Sequence, residues 1–129
     1  MNINKIHHAA IICSNYKRSK KFYTEILGLD IIAETYREER DSFKLDLRVG
    51  MADQIELFSF PGAPKRPSYP EAQGLRHLAF EVGDIDETIR ELEKQGVMVE
   101  PIRVDEGTGQ RFTFFHDPDG LPLELYEKI

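Results

Sequence analysis

Alternation of apolar and polar residues predicts most of the strands in this chain. Between Phe43 and Val49 every second residue is apolar and the residues between them are charged, which is typical of a strand with one buried face. Other segments, among them the isoleucine-rich residues 5–13, predict further strands. The predicted strands cover residues 5–13, 29–37, 42–49, 54–59, 75–82, 97–104, 110–116 and 121–127.

Two segments, 15–27 and 84–95, show helical spacing of their apolar residues. Each begins with a residue whose side chain can cap a helix N-terminus and ends before a glycine, which favours a helix stop. These residues are Asn15 and Gly28 for the first helix, and Asp84 and Gly96 for the second.

The order of elements is therefore strand, helix and three strands, repeated once. Prolines and glycines concentrate between the two copies, which predicts a linker at about 61–74. We expect one domain over residues 1–129, with a first βαβββ module at about 4–60 and a second at about 75–129. The predicted fold class is α+β, with two curved mixed sheets around a metal site and the helices on the outer faces.

The candidate chemistry repeats together with the elements. The segment 6–12 resembles 75–81, and 54–57 resembles 122–125, so that His8 corresponds to His77 and Glu56 corresponds to Glu124. Each module thus carries one histidine near its start and one glutamate in its last strand. Strand alternation places all four side chains on the faces that the helices do not cover.

Either glutamate alone would be read as the solvated face of an amphipathic strand, and a single strand histidine as a structural residue. The four residues together are the ligand inventory of a first-row metal site. Imidazole and carboxylate suit Zn²⁺, Ni²⁺, Fe²⁺ or Mn²⁺, and the lack of thiolates argues against a closed structural zinc site. We therefore expect one divalent metal ion per site, with the remaining positions open to water or substrate.

Several other residues have competing interpretations. His7 is adjacent to His8, but its strand parity favours a structural role, and His116 is expected at the surface or in a turn. Cys13 is expected to be buried and inert. Arginines in predicted strands can meet an anionic substrate or simply be solvated: Arg37, Arg48, Arg103 and Arg111. A separate group of aromatic residues is expected mainly in the core: Phe112, Phe114 and Phe115.

Composition narrows the functional classes. The net charge of −6 comes without a basic run, which disfavours nucleic acid and anionic membranes as partners. The single cysteine excludes an internal disulfide and suits a reducing compartment. No signal peptide is read at the N-terminus, and the longest apolar run is far too short to span a membrane. We expect a cytoplasmic protein.

These motifs resemble the vicinal oxygen chelate superfamily, which includes glyoxalase I, methylmalonyl-CoA epimerase, fosfomycin-type thiol transferases, extradiol dioxygenases and bleomycin-resistance proteins. The resemblance covers essentially the whole chain. The segments that carry it are His8 with 15–19, 22–28 and 55–57 in the first half, and 76–82, 117–120 and 123–125 in the second half.

The number of ligands favours one branch of that superfamily. Dioxygenases and fosfomycin transferases resemble a pattern of two histidines and one carboxylate, without a ligand at the position of Glu56. Bacterial glyoxalase I uses His, Glu, His and Glu, which matches His8, Glu56, His77 and Glu124 in order. The resemblance implies a metal that binds vicinal oxygens of a hemithioacetal, with Glu124 as first choice and Glu56 as second for moving the proton.

The predicted function is therefore a metal-dependent glyoxalase I-like isomerase or lyase that acts on a small molecule, such as a thiol adduct. The alternatives are a non-catalytic binding protein of the bleomycin-resistance type, a thiol transferase or a dioxygenase. Glutathione-using relatives commonly have Arg and Asn where this chain has Ile12 and Phe60, which argues against glutathione. The resemblance also implies a homodimer, with the site either inside one chain or between subunits.

Overall fold

The computed structural model describes residues 1–129, which form two compact units, residues 1–65 and 66–129. Each unit contains one four-stranded sheet and one α-helix. The boundary falls inside the proline-rich segment 61–74. Residues 66–74 therefore fold with the second unit.

The first unit follows the predicted order of elements. The elements are β1 (Ala9–Cys13), α1 (Tyr16–Lys21), β2 (Asp30–Arg37), β3 (Ser42–Val49) and β4 (Asp53–Ser59). A π-helical turn over Phe22–Ile26 continues α1, and a short 3₁₀ turn over Glu38–Arg40 joins β2 to β3.

The second unit repeats the order of elements. The elements are β5 (Leu78–Val82), α2 (Ile85–Lys94), β6 (Arg103–Val104), β7 (Arg111–His116) and β8 (Pro122–Glu127). None of the helices is long and apolar enough to cross a membrane.

Both sheets are mixed and have the same topology. The strand order is β1-β4-β3-β2 in the first sheet and β5-β8-β7-β6 in the second. In each sheet the first and last strands of the module run parallel, and the other neighbours are antiparallel. The predicted α+β fold of two βαβββ modules is confirmed.

The helix caps form as the sequence predicts. The backbone N–H of Arg18 donates to the Asn15 side chain at 3.0 Å, and that of Glu87 donates to Asp84 at 2.9 Å. These bonds satisfy backbone donors that the first turn of a helix leaves without partners. Gly28 adopts a φ of +70°, a left-handed conformation that glycine adopts without strain.

One face of each sheet forms the core of its unit. In the first unit the helix side buries aliphatic residues of the inner strands together with two aromatic residues that follow α1: Leu45, Leu47, Ile55, Leu57, Phe22 and Tyr23. In the second unit the corresponding positions are filled by Phe115, Leu121, Leu123 and Leu125, with Ile85 and Leu92 from α2.

The largest differences from the predicted elements lie at two places, while β1 and β5 begin four and three residues later than predicted. The first helix widens to π geometry, in which the N–H of Leu27 donates to the carbonyl of Phe22 at 3.0 Å, five residues earlier. The strand predicted over 97–104 is reduced to Arg103–Val104. Pro101 has no N–H to donate to a ladder, and among residues 97–102 only the backbone N–H of Glu100 donates to β7, to the carbonyl of Phe114 at 2.9 Å.

Candidate metal centre

In the first module, His8 and Glu56 lie side by side. His8 immediately precedes β1, and Glu56 occupies the middle of β4. Ala10 and Glu56 are partners in the parallel register, and His8 has the same strand parity as Ala10. The His8 Nδ1 atom is 3.5 Å from Oε2 of Glu56. The first predicted histidine and glutamate are therefore brought together.

The second module repeats this arrangement with a closer contact. His77 immediately precedes β5, and Glu124 lies in β8 opposite Ala79 in the register. The Nε2 atom of His77 is 2.9 Å from Oε2 of Glu124, within hydrogen-bond distance. The modules thus carry equivalent His–Glu pairs.

Both pairs lie on the side of the sheet away from the helix, as strand alternation predicts. Leu57 follows Glu56 and is completely buried on the helix side, and Leu123 precedes Glu124 and is equally buried. Glu56 and Glu124 are themselves only 7% and 9% exposed. Burying a carboxylate is costly unless it is paired with a donor or a cation. These two glutamates therefore require partners, and a solvated-face interpretation does not describe them.

The two glutamates differ in how firmly they are held. Glu56 accepts a hydrogen bond from Nε2 of Gln54 at 3.1 Å, and Nζ of Lys44 lies 3.8 Å from its other oxygen. Glu124 has the His77 imidazole as its one polar side-chain partner. Its cross-strand neighbour is the ring of Phe114, where the first module has Asp46. The second carboxylate is the freer of the two.

The donor set of each pair suits a divalent first-row metal. Imidazole nitrogen and carboxylate oxygen lie within 3.5 Å of each other in both modules. Neither module by itself gathers three or more His, Cys, Asp or Glu side chains in a group that could hold an ion. Each module therefore brings together one histidine and one glutamate.

His7 does not take the place of His8. The imidazole of His7 is exposed, and its Nδ1 atom approaches Nδ1 of His8 to 2.9 Å. A ring nitrogen that accepts or donates this bond orients the neighbouring imidazole. Cys13, predicted to be buried, is 2% exposed.

The expectation for the aromatic residues of β7 is correct only for Phe115. Phe115 is 1% exposed and lies in the core. Phe112 and Phe114 pair in the register with Tyr126 and Glu124, which places both rings on the face of the His–Glu pair. The rings of Phe114 and His77 meet edge to face, with centroids 5.1 Å apart. Strand parity, which separates 112 and 114 from 115, is the signal that could have shown this.

Three of the four strand arginines have defined side-chain contacts. Arg111 is bonded to Glu127 at 2.8 and 2.9 Å and to Asp86 at 3.1 Å, so two carboxylates neutralise its charge. The Arg111 guanidinium holds the pKa of Glu127 below its usual range. Arg111 is therefore not free to meet an anionic substrate. Arg37 and Arg103 lie over aromatic rings on the site faces of their modules.

Ile12 and Phe60 have no polar group to offer a peptide-like substrate. Ile12 is 56% exposed on the face of the first pair. Phe60 stacks on Phe58, with centroids 5.9 Å apart, and the guanidinium of Arg40 lies 4.6 Å from the Phe60 ring. The surface beside Phe60 is therefore aromatic and cationic.

Sequence reasoning missed a cavity in the second module. It has a volume of about 220 Å³ and lies between the segment 66–72 and the strand β7. Phe114 and His116 of β7 and Pro122 at the start of β8 contribute to its wall. His116, predicted to be a turn or surface residue, is exposed and lines this cavity.

The chain matches one protein-family model and a similar bacterial protein over nearly its whole length. The model of the Glyoxalase/Bleomycin resistance protein/Dioxygenase superfamily matches residues 5–125. The uncharacterized protein YwkD of Bacillus subtilis (strain 168) is 59% identical over 128 residues, which cover 99% of this chain and 100% of that protein.

A solved structure and a more distant enzyme extend the comparison. The crystal structure of the glyoxalase family protein from Enterococcus faecalis has 53% identity and a TM-score of 0.90, and the match covers 98% of this chain and 100% of that chain. Glyoxalase I of Saccharomyces cerevisiae (strain ATCC 204508 / S288c) is 29% identical over 143 residues, which cover 93% of this chain and 44% of that protein.

Proposed function

Because the chain belongs to the Glyoxalase/Bleomycin resistance protein/Dioxygenase superfamily, we propose that it is a metal-dependent isomerase or lyase of the glyoxalase I type. The observation that carries the proposal is the pair of buried glutamates, each beside a histidine at the same place in its module. The match to glyoxalase I of Saccharomyces cerevisiae supports the reaction class.

The proposed ligands of one divalent ion are His8, Glu56, His77 and Glu124. The donor set fits Ni²⁺, Zn²⁺, Mn²⁺ or Fe²⁺, because it combines imidazole and carboxylate without thiolate. The burial of both carboxylates supports the proposal, since a bound cation would offset the desolvation of their charges. When bound, such an ion supplies Lewis-acid polarisation of two neighbouring oxygens of the substrate.

A carboxylate of the chain would take the proton from the substrate C–H and return it to the neighbouring carbon, so that no net proton is gained or lost. Glu124 is the proposed base, because its carboxylate has one imidazole partner and can shift toward a substrate C–H. Glu56 is the second choice, because Gln54 and Lys44 hold its oxygens in place. Phe114 beside Glu124 would help to exclude water from this side of the site.

The proposed substrate is a thiol adduct of a 2-oxoaldehyde or a similar small molecule with two adjacent oxygens. Ile12 and the Phe58–Phe60 stack favour a thiol other than glutathione, because neither position offers a polar group to a peptide carboxylate or amide. The buried Cys13 suits a reducing compartment, so the proposal includes a cytoplasmic location.

The proposal also includes a homodimer. Each module supplies two ligands, so one subunit could contribute His8 and Glu56 while its partner contributes an equivalent of the other pair. Mixing a variant with the first pair replaced and a variant with the second pair replaced distinguishes the arrangements. Exchange of subunits restores part of the metal sites if they form between two copies, and restores none if they form within one chain.

The function is tested by turnover with methylglyoxal and a panel of thiols after the protein has been stripped with a chelator and reloaded with single metals. We expect activity only in the reloaded protein, and we expect at least one thiol to be used better than glutathione. The rate is measured from the absorbance change as the hemithioacetal is consumed. Stoichiometric metal without turnover on any thiol would contradict the reaction class, and a protein that binds the compounds without metal would be a binding protein instead.

A further inference from the structure

The cavity of the second module is lined by polar and charged groups that are not among the proposed metal ligands. Three arginines contribute to its wall, together with hydroxyl groups and one imidazole. The residues with donor groups are Arg66, Arg76, Arg103, Ser68, Tyr69 and His116. Two carboxylates, those of Glu71 and Glu100, also line it, so the wall has an excess of one positive charge in a chain whose net charge is −6.

Arg66 has no acidic partner. Its Nε donates to Oγ of Ser68 at 2.8 Å, and its Nη2 donates to the carbonyl oxygens of Leu75 and Arg76 at 3.2 and 3.4 Å. These bonds hold the guanidinium in a fixed orientation and use the donors on Nε and Nη2. The two N–H groups of Nη1 remain available, and a guanidinium presents such donors in a geometry that matches carboxylate and phosphate oxygens.

Arg103 is held at the cavity wall in a different way. Its guanidinium lies over the rings of Phe112 and Phe114, at 5.4 and 5.3 Å from their centroids, and its Nη2 donates to Glu100 at 2.9 Å. Stacking restricts the side chain, so less conformational entropy is lost when it binds a ligand. The Glu100 carboxylate offsets the Arg103 charge and competes with an incoming anion for the same donors.

The cavity adjoins the His77–Glu124 pair through a shared residue. Phe114 lines the cavity, contacts the His77 ring edge to face and is the cross-strand neighbour of Glu124. The Nη1 atom of Arg76 also lies 3.3 Å from Nδ1 of His77. A molecule whose anionic end occupies the cavity can therefore extend along Phe114 toward the pair.

We propose that this cavity is an oxyanion site that binds the carboxylate or phosphate end of a small molecule. Its volume of about 220 Å³ lies below the ~300–1,000 Å³ of pockets that enclose drug-sized ligands, so it takes a small acid or the terminal group of a longer one. That this acid is the end of the catalytic substrate rests on the proposed function. Anion binding itself requires no metal.

The test uses the full chain after removal of metal with a chelator, so that failure of the metal proposal does not affect it. D-lactate and inorganic phosphate are titrated separately and followed by amide shifts in ¹H–¹⁵N NMR spectra, with sodium chloride at equal ionic strength as the reference. We expect saturable shifts in residues 66–76, 100–103 and 114–116 with at least one probe. Binding of D-lactate alone assigns a carboxylate, and binding of phosphate alone assigns a phosphate group.

Substitutions test whether the guanidinium groups of the cavity bind the anion. Arg66→Met and Arg103→Met are each expected to weaken binding about tenfold, because each removes a charge-assisted hydrogen-bond donor. Arg90→Met, which removes an exposed arginine of α2, is the matched control and should leave binding unchanged. Glu100→Gln should strengthen binding, because it removes the carboxylate that competes for Arg103.

Arg103→Met should weaken binding and Glu100→Gln should strengthen it. These two variants therefore test the site even if the replacement of Arg66 disorders its segment. No saturable shift beyond the sodium chloride reference with either probe would overturn the proposal. Saturable binding that Arg103→Met and Glu100→Gln leave unchanged would overturn it as well.

Discussion

Replacement of Glu124 by glutamine is expected to lower kcat by about 10²- to 10⁴-fold, the usual contribution of a general base. Glutamine keeps the size of the side chain and an oxygen that can still face a metal, but it cannot accept a proton. Glu124 has this expected effect because it is buried, lies on the site face and has only His77 as a polar side-chain partner. The measurement is kcat at saturating metal with the thiol that supports the fastest turnover.

The comparison with Glu56→Gln separates proton transfer from metal ligation. Glu56 is held by Gln54 and lies near Lys44, so its replacement should raise the metal concentration required for activity more than it lowers kcat at saturation. Glu91→Gln, on the exposed surface of α2, is the control and should behave as the wild type. Equal losses of kcat for the Glu56 and Glu124 variants at saturating metal would contradict the assigned roles.

Replacement of Leu57 by alanine is expected to lower the free energy of unfolding by about 2–5 kcal/mol. Leu57 is completely buried, and its register partners Ile11 and Leu45 lie on the same helix-facing side of the sheet. The substitution removes apolar contacts and leaves a cavity that a rigid sheet cannot close. Urea unfolding followed by circular dichroism measures the loss.

The matched control for this substitution is Leu75→Ala. Leu75 is 57% exposed, so its truncation removes little buried area and should change the free energy of unfolding by less than about 1 kcal/mol. A similar loss in the free energy of unfolding at both positions would contradict the expectation that Leu57 is a major contributor to the core of the first module.

Local periodicity and repetition were sufficient to predict the module architecture. Every second residue of β3 is apolar, and the corresponding side chains of Leu45 and Leu47 are completely buried. The caps at Asn15 and Asp84 depend on neighbouring residues only, and both form as predicted. Strand parity also placed each histidine on the same side of the sheet as its glutamate, and the observed parallel register brings the two side chains next to each other.

Features that depend on contacts between residues far apart in the sequence could not be predicted from local periodicity. The apolar character of 97–104 suggested a strand, but Pro101 interrupts the ladder and leaves only two residues in β6. The segment 61–74 has the composition of a linker, yet Arg66 ties part of it to the carbonyls of Leu75 and Arg76. The cavity arises from this folding back, which no local pattern encodes.

The different surroundings of the two glutamates could not be predicted from the sequence repeat either. The repeat makes Glu56 and Glu124 equivalent, and only their neighbours distinguish them. Gln54 and Lys44 surround the first, whereas Phe114 replaces the polar neighbour of the second. The proposed ligands are therefore the same in both modules while their neighbours differ, which is what the proposed division of roles between two carboxylates requires.

The central claim is that the His–Glu pairs of both modules bind one metal ion, and metal titration of chelator-stripped protein tests it most directly. Calorimetry should show one divalent ion per wild-type chain. It should show no comparable binding when His8 and Glu56 are replaced by Ala and Gln, or when His77 and Glu124 are replaced in the same way. Retention of wild-type stoichiometry and affinity by either double variant would contradict the claim, because that pair would then not be part of the metal site.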